Sequence, residues 1–404
     1  MDAEMAETLR ILVIIMAAAV LAPLISDHVG RWVVVPAVVL EIALGILLGP
    51  DGLALIHETD VIYAFADLGL AMLMFMAGYE IDFNRIKGRP LRRAALAWLC
   101  SLALGLGAAW TVFGSSQTTL IIGLALTTTA LGTVLPILRD AGALSTAFGT
   151  RFLASGTVGE FGPIVVIALL LSGFRPLEGT LLLLVFFAVA GLAAWRATRP
   201  TSERMGRLIR ATLGTSAQLA VRLSLFVIVA MVGLAGVLQL DTLLGAFAAG
   251  IIVRLMLMIN HPQEVHEVES KLEAVSFGLF IPVFFVVTGV RFDVGALASD
   301  VGAVLLLPLF LLLFLLVRGL PELLLSRDGL AARQRPALAL FAATALPLLV
   351  VLTTIGGEAG VVEPAVAAAL VGAGMLSVLV LPLIGLRLWR SSQAAEEAPS
   401  VARG

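Results

Sequence analysis

Residues 301–317 read VGAVLLLPLFLLLFLLV, a run without a single charged side chain. A helix needs about 20 consecutive apolar residues to cross the hydrocarbon core of a bilayer, and this run and the segment 176–195, whose one charged residue is Glu178, approach or reach that length. In the whole 404-residue chain, 60% of residues are hydrophobic and 13% are charged, with a mean hydropathy of +1.06. Soluble proteins are about half apolar and a quarter charged. The sequence therefore predicts an integral membrane protein made of helices.

The chain start and the cysteine content exclude several other classes. The opening residues, MDAEMAETLR, are acidic, and the apolar run that follows has no small-residue cleavage signal. We therefore expect a retained first span and no signal peptide. The single cysteine, Cys100, excludes an internal disulfide framework and a cysteine-rich metal site. We expect no cofactor and no nucleic-acid partner.

Apolar segments separated by charged and turn residues predict about thirteen transmembrane helices. Positively charged residues concentrate in the odd-numbered connections, whereas the even-numbered ones carry only Arg175 and Arg291. The positive-inside rule then places the N-terminus outside the cell and the C-terminus in the cytoplasm. We expect the protein to lie in the inner (plasma) membrane. The predicted spans are 9–27, 32–50, 61–79, 93–113, 118–138, 152–173, 176–195, 217–239, 242–259, 273–290, 298–319, 336–355 and 362–386.

The spans divide into two halves. We expect one transmembrane domain over 1–390, with halves 1–196 and 217–390, followed by a cytoplasmic tail, 391–404. The arginine-containing segment 197–216 connects the halves on the cytoplasmic side. Its composition fits an amphipathic helix at the membrane surface, with a solvated linker as the alternative.

Two spans share an unusual composition. Span five contains LTTTALGTVLPIL (126–138) and span twelve contains FAATALPLLVVLTTI (341–355), each with small and hydroxylated residues near a proline. Because these spans cross the membrane in opposite directions, the similarity predicts inverted-topology repeats. In such folds each half has a broken helix, and the two broken helices cross at the midplane.

A carboxyl group stands in the middle of span six, in SGTVGEFGPIVVI (155–167). Glu160 follows the cytoplasmic end of the span by about nine residues, which corresponds to a depth of roughly 12–15 Å. An ionisable residue at this depth costs several kcal/mol and is by default a functional hypothesis. Ser155 and Thr157 add nearby oxygens. The alternative is a protonated acid that only supports helix packing.

A buried carboxyl group can bind two different ligands. Loss of hydration favours its protonated form, whereas a bound cation favours the anion. Glu160 is therefore expected to hold a proton or a monovalent metal ion, Na⁺ or K⁺, which is the chemistry that exchange requires. Thr127, Thr128 and Thr129 lie where span five would break and expose carbonyl oxygens, and Thr344 lies in the similar stretch of span twelve. Alternatively, the hydroxyls bond to their own helix.

Other charged residues fall within the predicted spans. Glu41 is comparably deep and is interpreted as a structural or secondary polar site. Asp67 lies closer to the outer surface, where an outer vestibule and a snorkelling side chain are both open. Four residues near cytoplasmic helix ends are interpreted mainly as interfacial anchors: Arg222, Arg254, Arg318 and Glu322. Of these, Arg254 could instead pair with an acidic group.

Five motifs in order resemble those of the monovalent cation:proton antiporter-2 family, which is related to bacterial sodium/proton and potassium-efflux antiporters. The resemblance covers nearly all of the membrane region. The motifs are VPAVVLEIALGILLGP (35–50), LGLAMLMFMAGYEID (68–82), LTTTALGTVLPIL (126–138), LLGAFAAGIIV (243–253) and IPVFFVVTGVRFD (281–293).

The resemblance implies a mobile core domain with spans five, six, twelve and thirteen, a dimerisation domain and a homodimer. Electrogenic members carry two adjacent acidic residues, or asparagine and aspartate, where this chain has Gly159 and Glu160. Some members also pair the site acid with a lysine in span ten, which is absent here. With one carboxylate, the expected exchange is one proton for one cation and electroneutral.

Three alternatives to sodium/proton exchange remain. A potassium-efflux antiporter usually carries an added nucleotide-binding domain, and an organic-solute symporter could use the same fold. An intramembrane enzyme is disfavoured because His-Glu-x-x-His and aspartate-rich Mg²⁺ motifs are absent from the sequence. We therefore expect a transporter and not an enzyme, with a monovalent cation, a proton and membrane lipid as its partners.

Overall fold

The structure is a computed structural model of the chain. The residues that it describes are 3–30, 35–57, 59–81, 86–114, 116–170, 176–199, 203–213, 215–260, 264–299, 301–326 and 329–401.

The described part of the chain is helical and contains no strand. In chain order the helices are α1 (Ala3–Gly30), α2 (Ala37–Leu48), α3 (Asp60–Tyr79), α4 (Arg89–Phe113), α5 (Ser116–Ala125), α6 (Leu131–Asp140), α7 (Ala147–Leu170), α8 (Pro176–Ala197), α9 (Glu203–Leu213), α10 (Leu219–Val237), α11 (Thr242–Asn260), α12 (Val265–Val290), α13 (Val294–Ser299), α14 (Val301–Leu325), α15 (Gln334–Ala342), α16 (Pro347–Glu358) and α17 (Pro364–Val401). A short 3₁₀ turn, Ala143–Ser145, precedes α7.

Each predicted span contains helix. Among the described residues, nine helical segments are long and apolar enough to cross a bilayer, and Ala37–Leu48 and Leu181–Ala197 are shorter apolar helices. Span five is divided between α5 and α6, and span twelve between α15 and α16. The predicted all-helical membrane fold is confirmed, whereas thirteen as the number of crossings stays a prediction.

The chain forms two compact units. The first contains Met1–Leu12, Glu58–Ile81 and Ile164–Phe285. Its centre is the close packing of α3 against α11. A Cβ on Gly78 would lie 2.1 Å from the carbonyl oxygen of Phe247, so this approach requires glycine.

Two sequence interpretations concern the first unit. The segment between the predicted halves contains α9, in which Ile209 and Leu213 are buried and Arg207 is exposed, as in an amphipathic helix, and its place at the cytoplasmic membrane surface stays a prediction. Arg254 does pair with an acidic group, because its guanidinium lies 3.7 Å from the carboxylate of Glu269. The guanidinium also lies over the ring of Tyr79.

The second unit contains Val13–His57, Asp82–Pro163 and Val286–Gly404. It holds both broken helices. The first break separates α5 from α6, and the second separates α15 from α16, where Pro347 begins the new helix. Proline suits a first helical turn because the amide hydrogen it lacks has no partner there in any case.

The backbone groups at the breaks find partners from outside their own helices. The amide of Ala345 in the second break donates to Ser377 Oγ at 3.0 Å, and the one hydrogen of this hydroxyl can reach the carbonyl of Gly374 at 2.7 Å or that of Ala345 at 3.1 Å. Ser377 belongs to α17 and is fully buried. The irregular backbone is therefore tolerated because neighbouring helices satisfy it, as required away from water.

Candidate functional site

The two breaks cross each other within the second unit. The amide of Ala130 in the first break donates to the carbonyl of Thr344 in the second at 2.7 Å. The hydroxyl of Thr129 donates to the carbonyl of Ala342, also at 2.7 Å. The amide of Thr129 donates to the carbonyl of Gly159 at 3.2 Å, which joins α7 to the crossing. The predicted crossing of two broken helices is thus present, and Glu160 follows Gly159 directly.

Glu160 is fully buried. Neither oxygen of its carboxyl group has a hydrogen-bond partner among the described residues. The first residue of α6, Leu131, belongs to the same crossing, and its amide donates to the carbonyl of Thr129 at 3.0 Å. A helix N-terminus carries partial positive charge. A carboxyl group in this position is available to bind a ligand.

An arginine lies beside the crossing and is fully buried as well. Arg318 Nε donates to Thr129 Oγ1 at 2.9 Å, and its Nη2 donates to both the carbonyl oxygen and Oγ of Ser155 at 2.8 Å. Its Nη1 lies 3.4 Å from Glu322 Oε2. The guanidinium therefore connects the first break, α7 and its own helix, α14.

Glu322 completes this group. Its side chain is 1% exposed, and Ser155 Oγ donates to its Oε2 at 2.8 Å. Ser326, the residue directly after α14, donates a short hydrogen bond to Oε1. Both oxygens of Glu322 therefore have partners. We call Arg318, Glu322, Ser155 and Thr129 the arginine cluster.

The interpretation of Arg318 and Glu322 as interfacial anchors is wrong. The sequence predicts that span eleven ends at residue 319, but α14 continues to Leu325. Both residues therefore lie inside the helix, where they are buried. In addition, the backbone forms a wider π-helical turn over Phe314–Gly319, which includes Arg318. Such turns occur often at functional sites.

The arginine cluster explains why residue 159 is glycine. A Cβ at this position would lie 2.4 Å from Thr129 Oγ1 and 2.8 Å from Arg318 Nη2. The guanidinium and the threonine hydroxyl therefore occupy the space into which a side chain at 159 would extend. A second carboxylate next to Glu160 does not fit this arrangement.

The other candidate hydroxyls bond within their own segments. Thr127 and Thr128 donate to the carbonyls of Leu124 and Ala125 at 2.8 Å. Thr157 donates to its preceding turn at 2.6 Å and Thr344 at 3.1 Å. This is the alternative that the sequence left open for the threonines. Of the predicted oxygen donors, the structure brings Thr129 and Ser155 into one connected group.

The two secondary candidates lie elsewhere. Glu41, on α2, is 6% exposed, next to a close crossing in which a Cβ on Gly45 would lie 2.1 Å from the carbonyl oxygen of Val286. Asp67, on α3 of the first unit, is exposed. Neither forms a hydrogen bond with the site residues named above among the contacts that the structure describes.

A cavity opens in the second unit at the ends of α12, α16 and α17. Its volume is about 690 Å³, and its lining includes Val350 and Val371. Threonines, one arginine and two carboxylates supply polar groups to the lining: Thr288, Thr353, Thr354, Arg291, Asp293 and Glu363. The cavity adjoins α16, the helix that begins at the second break. It is therefore a candidate entrance for water and ions.

Most of the chain matches the model of a known protein family. The family model described as the transmembrane sodium/hydrogen exchanger matches residues 16–389. The chain belongs to the sodium/hydrogen exchanger family.

Individual relatives cover most of the chain. The Bacillus subtilis protein YjbQ is 26% identical over 96% of this chain, which spans 64% of the length of YjbQ. The Na(+)/H(+)-K(+) antiporter GerN of Bacillus cereus is 27% identical over 75% of this chain and 76% of its own length.

A solved structure has the same fold. The sodium proton antiporter MjNhaP1 from Methanocaldococcus jannaschii, determined at pH 8, superposes with a TM-score of 0.66. The match covers 95% of this chain and 97% of the other, at 16% sequence identity. The chain is therefore a multi-pass membrane protein of the sodium/hydrogen exchanger family. Its fold, which includes the two crossed broken helices, matches that of MjNhaP1.

Replacing Gly159 by alanine should destabilise the protein. The added methyl group collides with Thr129 and Arg318, and overpacking of this kind costs about 1–3 kcal/mol. Thermal unfolding of the purified variant in detergent would measure the effect. Gly233→Ala is the matched control, because a Cβ there meets no atom within 4 Å and alanine favours helix. An equal melting temperature for Gly159→Ala and the wild type would contradict the observed packing.

Proposed function

We propose that this protein exchanges a monovalent cation, Na⁺ or K⁺, for protons across the membrane. The observation that carries the proposal is the carboxyl group of Glu160, which is fully buried beside the crossed helices and has no hydrogen-bond partner among the described residues. Membership in the sodium/hydrogen exchanger family supports the same activity.

The proposed mechanism is competition at Glu160. When the carboxyl group is protonated it is neutral, which is the favoured state of an isolated acid out of water. A cation that enters replaces the proton and is held by the carboxylate of Glu160. Oxygens of the crossing, such as those near Thr129, are further candidate ligands. Exchange follows if the site faces the two sides of the membrane alternately, through a rocking or elevator motion.

We further propose that exchange is electroneutral. One carboxyl group releases one proton for each monovalent cation it binds. The crowding around Gly159 supports this count, because Thr129 and Arg318 occupy the space of a neighbouring acidic side chain. The charge of Arg318 is already paired with Glu322, so it adds no net charge to the site.

The assembly and orientation belong to the proposal as well. We propose a homodimer in the plasma membrane, with the N-terminus outside and the C-terminus in the cytoplasm. The two halves, 1–196 and 217–390, would form the inverted repeats. The presence of one break in each half and the arginine content of the odd-numbered connections support this arrangement.

Potassium is the second candidate cation. GerN, a relative that covers three quarters of this chain, is named as a Na(+)/H(+)-K(+) antiporter. Main-chain carbonyls, hydroxyls and a carboxylate bind both ions, and the choice depends on cavity size and ligand geometry. Parallel transport assays with each cation would separate these alternatives.

Glu160→Gln should abolish exchange. The amide has nearly the same shape but neither releases a proton nor carries a negative charge, so we expect at least a hundredfold loss, in the range typical of removing an essential acid–base group. The measurement uses proteoliposomes that contain a pH-sensitive dye, to which each alkali cation is added in turn. Glu267→Gln, an exposed carboxylate paired with Lys271, is the control. Undiminished cation-driven proton movement in Glu160→Gln would disprove the site.

Exchange by the wild-type protein should not respond to membrane potential. One proton and one monovalent cation carry equal charge in opposite directions, so no net charge moves in a cycle. The same proteoliposomes, clamped at potentials of either sign with a potassium gradient and valinomycin, would be supplied with sodium. A rate that rises with one polarity and falls with the other, relative to the same potassium gradients without valinomycin, would rule out one-for-one exchange.

A further inference from the structure

The arginine cluster contains two buried charges next to a carboxyl group that needs to stay available. Buried charges in proteins are paired, because an isolated charge out of water is very costly. Arg318 is fully buried and Glu322 is 1% exposed, and they lie four residues apart on α14. Glu160 is equally buried but has no such partner among the described residues.

Arg318 contacts the part of α7 that leads to Glu160. Its Nη2 would be 2.8 Å from a Cβ on Gly159, the residue before Glu160, and it donates to Ser155 on the same helix. An arginine side chain has five N–H donors and keeps its charge in proteins. The guanidinium therefore lies against the turn of α7 that directly precedes Glu160.

The sequence supplies few carboxylates that could balance this arginine. The helices that pack against or bond to the segment 314–325 include α4, α15 and α7. The sequences of α4 and α15 contain no Asp or Glu, and that of α7 contains only Glu160. Apart from Glu322 on its own helix, Glu160 is thus the one carboxylate that these elements offer to Arg318.

We propose that Glu322 is a positioning residue that keeps Arg318 from neutralising Glu160. Ser155 supports this role, because its hydroxyl accepts from Arg318 and donates to Glu322. Ser326 holds the other oxygen of Glu322. The guanidinium is consequently directed to Glu322 and the break, and the negative charge of Glu160 remains available for the transported cation. This inference rests on the proposed role of Glu160 in binding that cation.

Removal of Glu322 should change cation affinity. In Glu322→Gln, Glu160 is the one carboxylate that the helices named above still offer to Arg318. The guanidinium would then pair with Glu160 and repel an incoming cation. We expect the apparent KM for the cation to rise at least about tenfold, the effect of losing one close charge interaction. The rate at saturating cation should change much less.

The complementary variants give results that a loss of packing would not. Glu322→Asp keeps the charge and should restore most of the affinity. Arg318→Gln removes the competing cation and should not raise KM. In the double variant Arg318→Gln/Glu322→Gln both charges are absent, so KM should return to within about threefold of the wild type, less than the tenfold step that one charge interaction produces.

The experiment measures initial exchange rates in proteoliposomes against the concentration of the cation that the wild type transports best. Glu269→Gln is the matched control, because it also removes an arginine-paired carboxylate, here from Arg254 in the first unit. Its KM should equal that of the wild type. Folding of every variant is followed by size-exclusion chromatography and melting temperature.

Two results would overturn the inference: an unchanged KM in Glu322→Gln, or a KM in the double variant as high as that in Glu322→Gln. If Glu322→Gln is not recovered in folded form, the double variant decides, since the proposal requires it to bind the cation normally. A failure of the proposed function is distinguishable, because the wild type would then show no exchange that depends on Glu160.

Discussion

Backbone amides and carbonyls away from water need partners within the protein, and the crossing of two broken helices is where this requirement is hardest to meet. The two breaks satisfy each other through Ala130 and Thr344, and through Thr129 and Ala342. Ser377 serves the second break from α17. Irregular backbone therefore exists in the interior because each segment supplies what the other lacks, and this interdependence fixes the surroundings of Glu160.

The site combines a satisfied pair of charges with an unsatisfied carboxyl group. Arg318 and Glu322 are paired with each other and with neighbouring hydroxyls, so together they add no net charge to the site. Glu160 lacks hydrogen-bond partners among the described residues, and such a group gains most from binding a proton or a cation. The small residue at 159 makes this possible, because it leaves room for the guanidinium. The two features together support exchange at one carboxyl group.

Much of the fold could be predicted from the sequence, because hydrophobic length reports directly on membrane crossing. Glu160 was identifiable by its depth within an apolar segment, and the breaks by clustered threonines and a proline. The roles of Arg318 and Glu322 could not be predicted, because charges near a helix end are normally interfacial, and α14 is longer than its apolar run indicated. Their partner Ser155 is separated from Glu322 by 167 positions, which helical periodicity does not register.

The account depends on a proton and a metal ion sharing one carboxyl group, and counting protons during cation binding tests this most directly. Purified protein would be titrated with the transported cation by calorimetry in buffers of different ionisation enthalpy. The account predicts that close to one proton leaves for each cation bound, over the pH range in which the empty site is protonated. Saturable cation binding that releases no proton at any pH would contradict it.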